Sequence, residues 1–508
     1  MTGPAGSADW STVVNVWGAM LQVAASRRDK GGRWTGAVAA TALLAAMGLA
    51  LSTPAHAETL RQALASAYKN NPRLDAERAR LRATDEEVPR AISGYRPTVT
   101  GSADIAYQRQ DTKPNSQNDG ETHPHGYAVN ATQPIFSGFR TLNQVREAEA
   151  TVRAGRETLR VTEQSVLLEA VTAYMDVVRD QAIVRLRENN VTVLSRELKA
   201  TDDRFKVGEV TRTDVAQATA RRAGAVSAFD LAKANLKTSR ATYERVVGLA
   251  PSNLVEPAAP EKQLPKSASD ASAIATKENP AVVAALYREQ ASRHTVDRIW
   301  GELLPEVRVD ASYTKRYDPS RTTDESETTS VVGRLSVPIY QGGEVHARVR
   351  QAKHTHVSRL QEIEQARTET VATAVAAYSR LEASRAQLTS DLAQVAANQT
   401  ALTGVREEEK VGQRTLLDVL NAEQELLNSQ VQLATTKRDV IVNSYNLLSS
   451  VGRLNATEMS LASNVYDPEA HYHEVRRKWW GISITHRDGR HEFLDLWHTH
   501  GKKHAPVK

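Results

Sequence analysis

Cysteine is absent from all 508 residues. That excludes a disulfide framework, thiolate chemistry and a lipid-bearing cysteine, and it is compatible with an oxidising compartment. Aromatic residues make up only 5% of the chain. Long runs of Ala, Leu, Val, Gln, Glu and Arg favour extended helices over several compact cores. After residue 57 no stretch of 18 apolar residues occurs, which excludes a transmembrane helix, so any membrane role falls to β-strands. The formal net charge of +5 drops to +3 without the first 57 residues, too little to argue for nucleic acid. No phosphate-binding Gly loop is present, and no Ser/His/Asp order is supported by strand–turn context. The sequence therefore points to neither an enzyme nor a cofactor.

Residues 26–57 read as a secretory signal. Arg27, Arg28, Lys30 and Arg33 precede an apolar run from Ala37 to Leu51, and Pro54-Ala-His-Ala57 offers a small-x-small cleavage site. Cleavage is expected after Ala57. The first 25 residues are unusual for a signal and read as an over-early start, with Met20 the alternative.

From residue 58 to residue 455 the chain carries one pattern twice. Asn71-Pro72 recurs as Asn279-Pro280 and Pro97 as Pro305, both at an offset of 208. From Gln133-Pro-Ile-Phe-Ser-Gly138 and Val337-Pro-Ile-Tyr-Gln-Gly342 onward the offset is 204, and it pairs Tyr174 with Tyr378 and Gly248 with Gly452. The four-residue difference falls between Pro97 and Pro134, in a loop, where length changes cost least. The first copy spans 58–249, with strands at about 97–134 and a helical hairpin at 138–248. A Pro-rich connector covers 250–268. The second copy spans 269–455, with strands at about 305–338 and a hairpin at 342–452. The tail, 456–508, is expected to be partly disordered.

Each copy carries two segments of period two, such as Val307, Val309, Ala311 and Tyr313 against Arg308, Asp310 and Ser312. The polar connectors, 111–124 and 319–328, read as exposed hairpin loops. Strands of roughly ten residues suit a membrane barrel; alternation alone leaves a small soluble sheet with one wet face equally open. Residues 156–207 and 344–403 contain neither Gly nor Pro. There apolar residues recur every seven positions (Val177, Val184, Val191, Leu198; Leu381, Leu388, Val395, Leu402), the coiled-coil signature. Four strands cannot close a barrel, and open edges in lipid cost several kcal/mol per unpaired group. If the strands span a membrane, three chains supplying twelve is the natural closure.

The two hairpins turn on matching tips, Val207-Gly-Glu-Val-Thr-Arg-Thr-Asp-Val215 and Val411-Gly-Gln-Arg-Thr-Leu-Leu-Asp-Val-Leu-Asn421. Gly208 and Gly412 end one helix in the left-handed conformation, and Thr211 with Asp214, or Thr415 with Asp418, caps the next. Capping is the plain role of both acids. Seven histidines, His471, His473, His486, His491, His498, His500 and His504, crowd the tail, where a solvated segment is expected rather than a metal site. Trp479-Trp480 reads as a packing anchor for that tail.

The Asn-Pro helix starts, the paired strands, the Gln-Pro-Ile-Phe-x-Gly turn and the Val-Gly-x-x-x-x-x-Asp-Val tips together resemble the TolC family of outer-membrane efflux proteins over about residues 58–455. The tail from Tyr466 to Val475 looks like the C-terminal extension of some alphaproteobacterial members. The resemblance implies an α+β membrane protein: a homotrimer with a twelve-stranded outer-membrane β-barrel, four strands per chain, continued by a long α-helical barrel in the periplasm. It implies a passive exit duct for efflux or type I secretion, contacting outer-membrane lipid. A periplasmic adaptor and an inner-membrane efflux or ABC transporter would be its partners. It also implies a gate at the tips, with acidic rings falling on Asp418 and on Asn421, where this chain lacks the usual acid. Arg414 and Asp214 match a polar latch between tips, and Glu409 stands where a tyrosine often shares it. Val207, Gly208, Val411, Gly412 and Thr415 fall in the adaptor-docking tips. The competing reading is a trimeric, surface-anchored adhesive coiled coil, which has no need for two inward tips per chain.

Overall fold

The computed structural model describes residues 58–114, 116–461 and 465–484. The expected signal, its cleavage site, Met20 and His486, His491, His498, His500 and His504 lie outside the described residues.

Helix α1 (Leu60–Asn70) starts on a capping box between Thr59 and Gln62. Asn71 ends it and caps α2 (Pro72–Asp85), with Pro72 in the first turn, where a missing N–H costs nothing. The Asn71 side-chain amide also donates to the carbonyl of Val246 at 2.9 Å, from a buried position. The second copy repeats the device. Asn279 separates α6 (Ala268–Glu278) from α7 (Pro280–Trp300) and donates to Ser450 at 2.9 Å. Each Asn-Pro pair therefore starts a helix and holds the far end of the same copy's hairpin. Between α2 and the first strand lies a short helix, α3 (Glu87–Ile92).

The hairpins are α4 (Arg140–Lys206) with α5 (Arg212–Val247), and α8 (Glu344–Lys410) with α9 (Leu416–Ser450). Helices α4 and α8 are both 67 residues long. At about 1.5 Å per residue each reaches roughly 100 Å. Every residue of the seven-residue stripes is buried or half-buried, as a seam between paired helices requires. Among the described residues no helix is long and apolar enough to cross a membrane.

The principal core lies where the connector crosses the helices. Tyr174 and Tyr243 are fully buried there, among Leu64, Leu167, Val171 and Leu448. The Tyr174 hydroxyl lies 2.7 Å from the carbonyl of Val255 and 2.8 Å from that of Glu58, and it accepts from the Val255 N–H at 3.0 Å. Burial pushes its pKa up to about 12. Tyr243 donates to the Glu58 carboxylate at 2.6 Å, and burial, then that carboxylate, raise its pKa too.

Strands β1 (Thr98–Ile105), β4 (His125–Ser137), β5 (Glu306–Ser320) and β6 (Thr323–Ser336) form one antiparallel sheet in the order β1-β4-β5-β6. Pairing of β4 with β5 joins the two copies. The register sorts the side chains by chemistry. Val99, Ala131, Ala311 and Val331 form one row, and Gly101, Val129, Tyr313 and Thr329 the next. On the opposite face Thr100 aligns with Asn130, Ser312 and Ser330. One face is thus an apolar band and the other polar, the alternation of a membrane barrel wall.

Two expectations change here. The connectors are shorter than the polar composition suggests: β6 begins at Thr323, and a small ribbon of β2 (Gln108–Gln110) with β3 (Gly120–Thr122) occupies the first connector. Backbone pairing to β5 draws the Thr/Ser/Glu-rich segment into the sheet despite its polarity. The anchor of the tail also differs from the expectation. Helix α10 (Ala470–Val475) packs Tyr472 against the cluster of Val88, Ala91, Ala148 and Val152, and His471 Nδ1 meets buried Asp85 at 3.1 Å. The anchor is therefore Tyr472 and Val475, not Trp479-Trp480, which stay exposed.

Candidate functional site at the hairpin tips

The first helix of each hairpin ends in the same way. Gly208 and Gly412 both have φ of +80°, a backbone that only glycine adopts without strain. Gly208 N–H donates to Phe205 at 3.0 Å and Glu209 N–H to Arg204 at 3.0 Å. In the second tip Gly412 donates to Glu409 and Gln413 to Glu408, both at 2.9 Å. These paired bonds satisfy the last carbonyls of α4 and α8 and reverse the chain. The flanking Val207 and Val411 are 77% and 71% exposed, an apolar rim on each tip.

Each second helix starts on a reciprocal capping box. Thr415 N–H donates to Asp418 Oδ2 at 3.0 Å while Asp418 N–H donates to Thr415 Oγ1 at 3.3 Å. Thr211 and Asp214 match this at 2.9 and 3.3 Å. Removing the cap by Thr415→Ala is expected to cost about 1 kcal/mol, which would speed hydrogen exchange of the Leu416–Asp418 amides about fivefold.

The same bonds hold both carboxyls below their ordinary value of 3.8. For Asp418 the main cause is the Thr415 backbone N–H, then its hydroxyl; for Asp214 it is the Thr211 hydroxyl, then the backbone. A pKa depressed on folding stabilises above the unfolded value and ceases to do so as pH falls through the folded one. Tip amide protection, corrected for intrinsic exchange, should stay flat from neutral pH to about pH 4 and fall below it.

The structure does not bring Arg414 and Asp214 together within the chain. Arg414 Nε donates to Glu408 at 2.9 Å on its own tip, and Asp214 is engaged in its cap. Near the tips, two other links join the hairpins among the described residues. Arg204, on α4, donates to Glu409, on α8, at 2.8 Å. Arg221, on α5, donates to Asn421 Oδ1, on α9, at 2.8 Å. Glu409, at the position of the family's frequent tyrosine, therefore does bridge the tips, and Asn421 is turned to the neighbouring hairpin. Just above, Arg406 pairs with the buried carboxylate of Glu423, stapling α8 to α9. Sequence reasoning passed over Arg204 and Arg221. A usable sign was present: Arg204 and Glu408 stand at equivalent positions of the two copies with opposite charge.

Comparison with known proteins agrees with this architecture. The family model described as "Outer membrane efflux protein" matches residues 63–249 and 272–453. The chain is 40% identical over 461 residues to outer membrane efflux protein BepC of Brucella suis biovar 1 (strain 1330), covering 89% of this chain and 97% of that one. It is 27% identical over 440 residues to outer membrane protein TolC of Escherichia coli (strain K12), covering 82% and 87%. The Campylobacter jejuni CmeC outer membrane channel has the same fold at 17% identity, with a TM-score of 0.70 over 82% of this chain and 89% of that structure. With matched segments covering both copies from the first helices to the ends of the hairpins, this chain belongs to the outer membrane efflux protein family.

Proposed function

We infer that the tips are the periplasmic gate and adaptor dock of an outer-membrane exit duct for an efflux pump or a type I secretion system. The observation that carries this reading is one chain holding both a four-stranded sheet with an apolar face and two hairpins of membrane-exceeding length. The terminal strands β1 and β6 have no partner on their outer edges within the sheet. Unpaired edges are untenable in lipid, and three chains close them into a twelve-stranded barrel. The same symmetry gathers four long helices per chain into a twelve-helix duct below. An adhesive coiled coil has no use for two gated tips per chain.

The duct itself holds no energy source, so cargo is driven by an inner-membrane transporter, and a periplasmic adaptor docks at the exposed Val207 and Val411 rims. Threefold symmetry sets three Asp418 carboxylates around the axis. Such a ring favours cations and is bridged by divalent ions. Because Asn421 is neutral and engaged with Arg221, the constriction depends on one acidic ring. Planar-bilayer recording of the trimer tests this. Asp418→Ala should reduce cation selectivity and divalent block; unchanged block removes the gate role, and a trimer that never conducts removes the duct.

A further inference from the structure

The segment after α10 reads Arg476-Arg-Lys-Trp-Trp-Gly-Ile-Ser-Ile484 and lies outside the strands and the helical hairpins. Its start is firmly held. Val475 is buried, and Arg476 donates to Glu149 at 2.8 Å. Arg96 donates to the carbonyl of Lys478 at 2.8 Å, and its guanidinium lies 4.7 Å over the Trp479 ring. Arg96 is two residues before β1, so the segment is pinned at the end of the sheet where β1 begins and β4 and β6 finish.

Beyond that pin the side chains turn outward. Gly481 has φ of +101°, and Lys478 Nζ donates to the carbonyl of Ser483 at 3.0 Å, closing a turn with Trp480 at its tip. Trp479 is 68% and Trp480 90% exposed, and Ile482 and Ile484 are exposed beside them. Two exposed tryptophans forfeit the burial that large aromatics normally gain. The strand bases show the same character: Tyr95, Phe139 and Tyr340 are exposed. Tryptophan and tyrosine favour the boundary between headgroups and acyl chains, and basic residues favour the anionic phosphates beside it.

We propose that Trp479 and Trp480 insert into the periplasmic-side phospholipid leaflet around the base of the barrel, with Arg477 and Lys478 at the lipid phosphates. The segment is a second, non-covalent membrane anchor in a chain without cysteine. Three features select lipid as the occupant: the segment continues from the base of the apolar strand face, the basic Arg477 and Lys478 directly precede the two tryptophans, and the exposed aromatics share the level of the strand bases. The proposal rests on the reading of the sheet as a membrane barrel.

The test places photoreactive benzoylphenylalanine at position 480 of the full-length protein in intact outer membranes and identifies adducts by mass spectrometry. Position 331, on the apolar strand face, and position 411, at a tip, serve as controls. Phospholipid adducts at 480 about tenfold above those at 411 are expected for an inserted interfacial side chain, with Arg477→Gln and Lys478→Gln together lowering them about threefold. Lipid at 331 and only a second copy of the chain, another protein, lipopolysaccharide or nothing at 480 overturns the anchor while leaving the barrel intact. Lipid at neither position overturns the barrel reading, and the anchor with it.

Discussion

Arg204→Ala or Glu409→Ala should raise the open probability of the channel sharply, and the charge-swapped pair (Arg204→Glu with Glu409→Arg) should restore closure. The pair joins α4 to α8 at 2.8 Å, at the ends of the two longest helices. It is partly exposed, so one pair is worth only about 0.2–1 kcal/mol. A symmetric trimer contains it three times. Concerted opening then loses up to about 3 kcal/mol of closure, roughly a hundredfold in the closed-to-open ratio. Arg221→Ala removes only a hydrogen bond to the Asn421 amide and should act in the same direction with smaller effect. Single-channel recording decides between these outcomes. Wild-type gating in Arg204→Ala would assign closure to contacts between neighbouring chains, such as Arg414 with Asp214, rather than to links within one.

Tyr174→Ala should destabilise the trimer far more than Tyr378→Ala, although the two tyrosines occupy equivalent positions in the duplicated sequence. Tyr174 is fully buried, and its hydroxyl sits against Glu58 and Val255, holding Glu58 to the connector. Truncating a buried aromatic costs about 3–5 kcal/mol. Tyr378 is half-buried and donates only to Lys266, at 3.1 Å. It also packs against the cluster of Ala271, Ala374 and Leu381, and its loss should cost about 1–2 kcal/mol. Tyr174→Phe should fall between the two, since it leaves the Val255 N–H only its longer bond, to the Glu58 carbonyl at 3.4 Å. The midpoint of thermal trimer dissociation measures all three. Equal effects at 174 and 378 would mean that the two copies share the load that the structure gives to the first.

The helical part was legible because its punctuation is local. Glycines at 208, 248, 412 and 452 have positive φ in the structure, at or just past the helix ends, and the Thr-x-x-Asp spacing announced caps that involve only residues three apart. The seven-residue period likewise follows from helix geometry. The polar strand ends were hidden, since Thr323–Thr328 becomes strand only through its pairing with β5. Helix α10 is a six-residue element, too short for any period to show. The tip links were hidden for another reason. Arg204 and Glu409 are 205 positions apart, and the opposite charges at the equivalent positions 204 and 408 do not by themselves specify that α4 and α8 end side by side.

A closed barrel requires β1 of one chain to pair with β6 of the next. A protein with no cysteine permits a background-free test. One cysteine is placed along β1 between positions 98 and 104, a second along β6 between 324 and 334, and register pairs are oxidised in the outer membrane. Barrel closure predicts that matched pairs form disulfides between chains, that the product runs as a covalent trimer, and that mismatched registers do not react. Cross-linked dimers as the end point, or no interchain disulfide at any register, would contradict the closed twelve-stranded barrel.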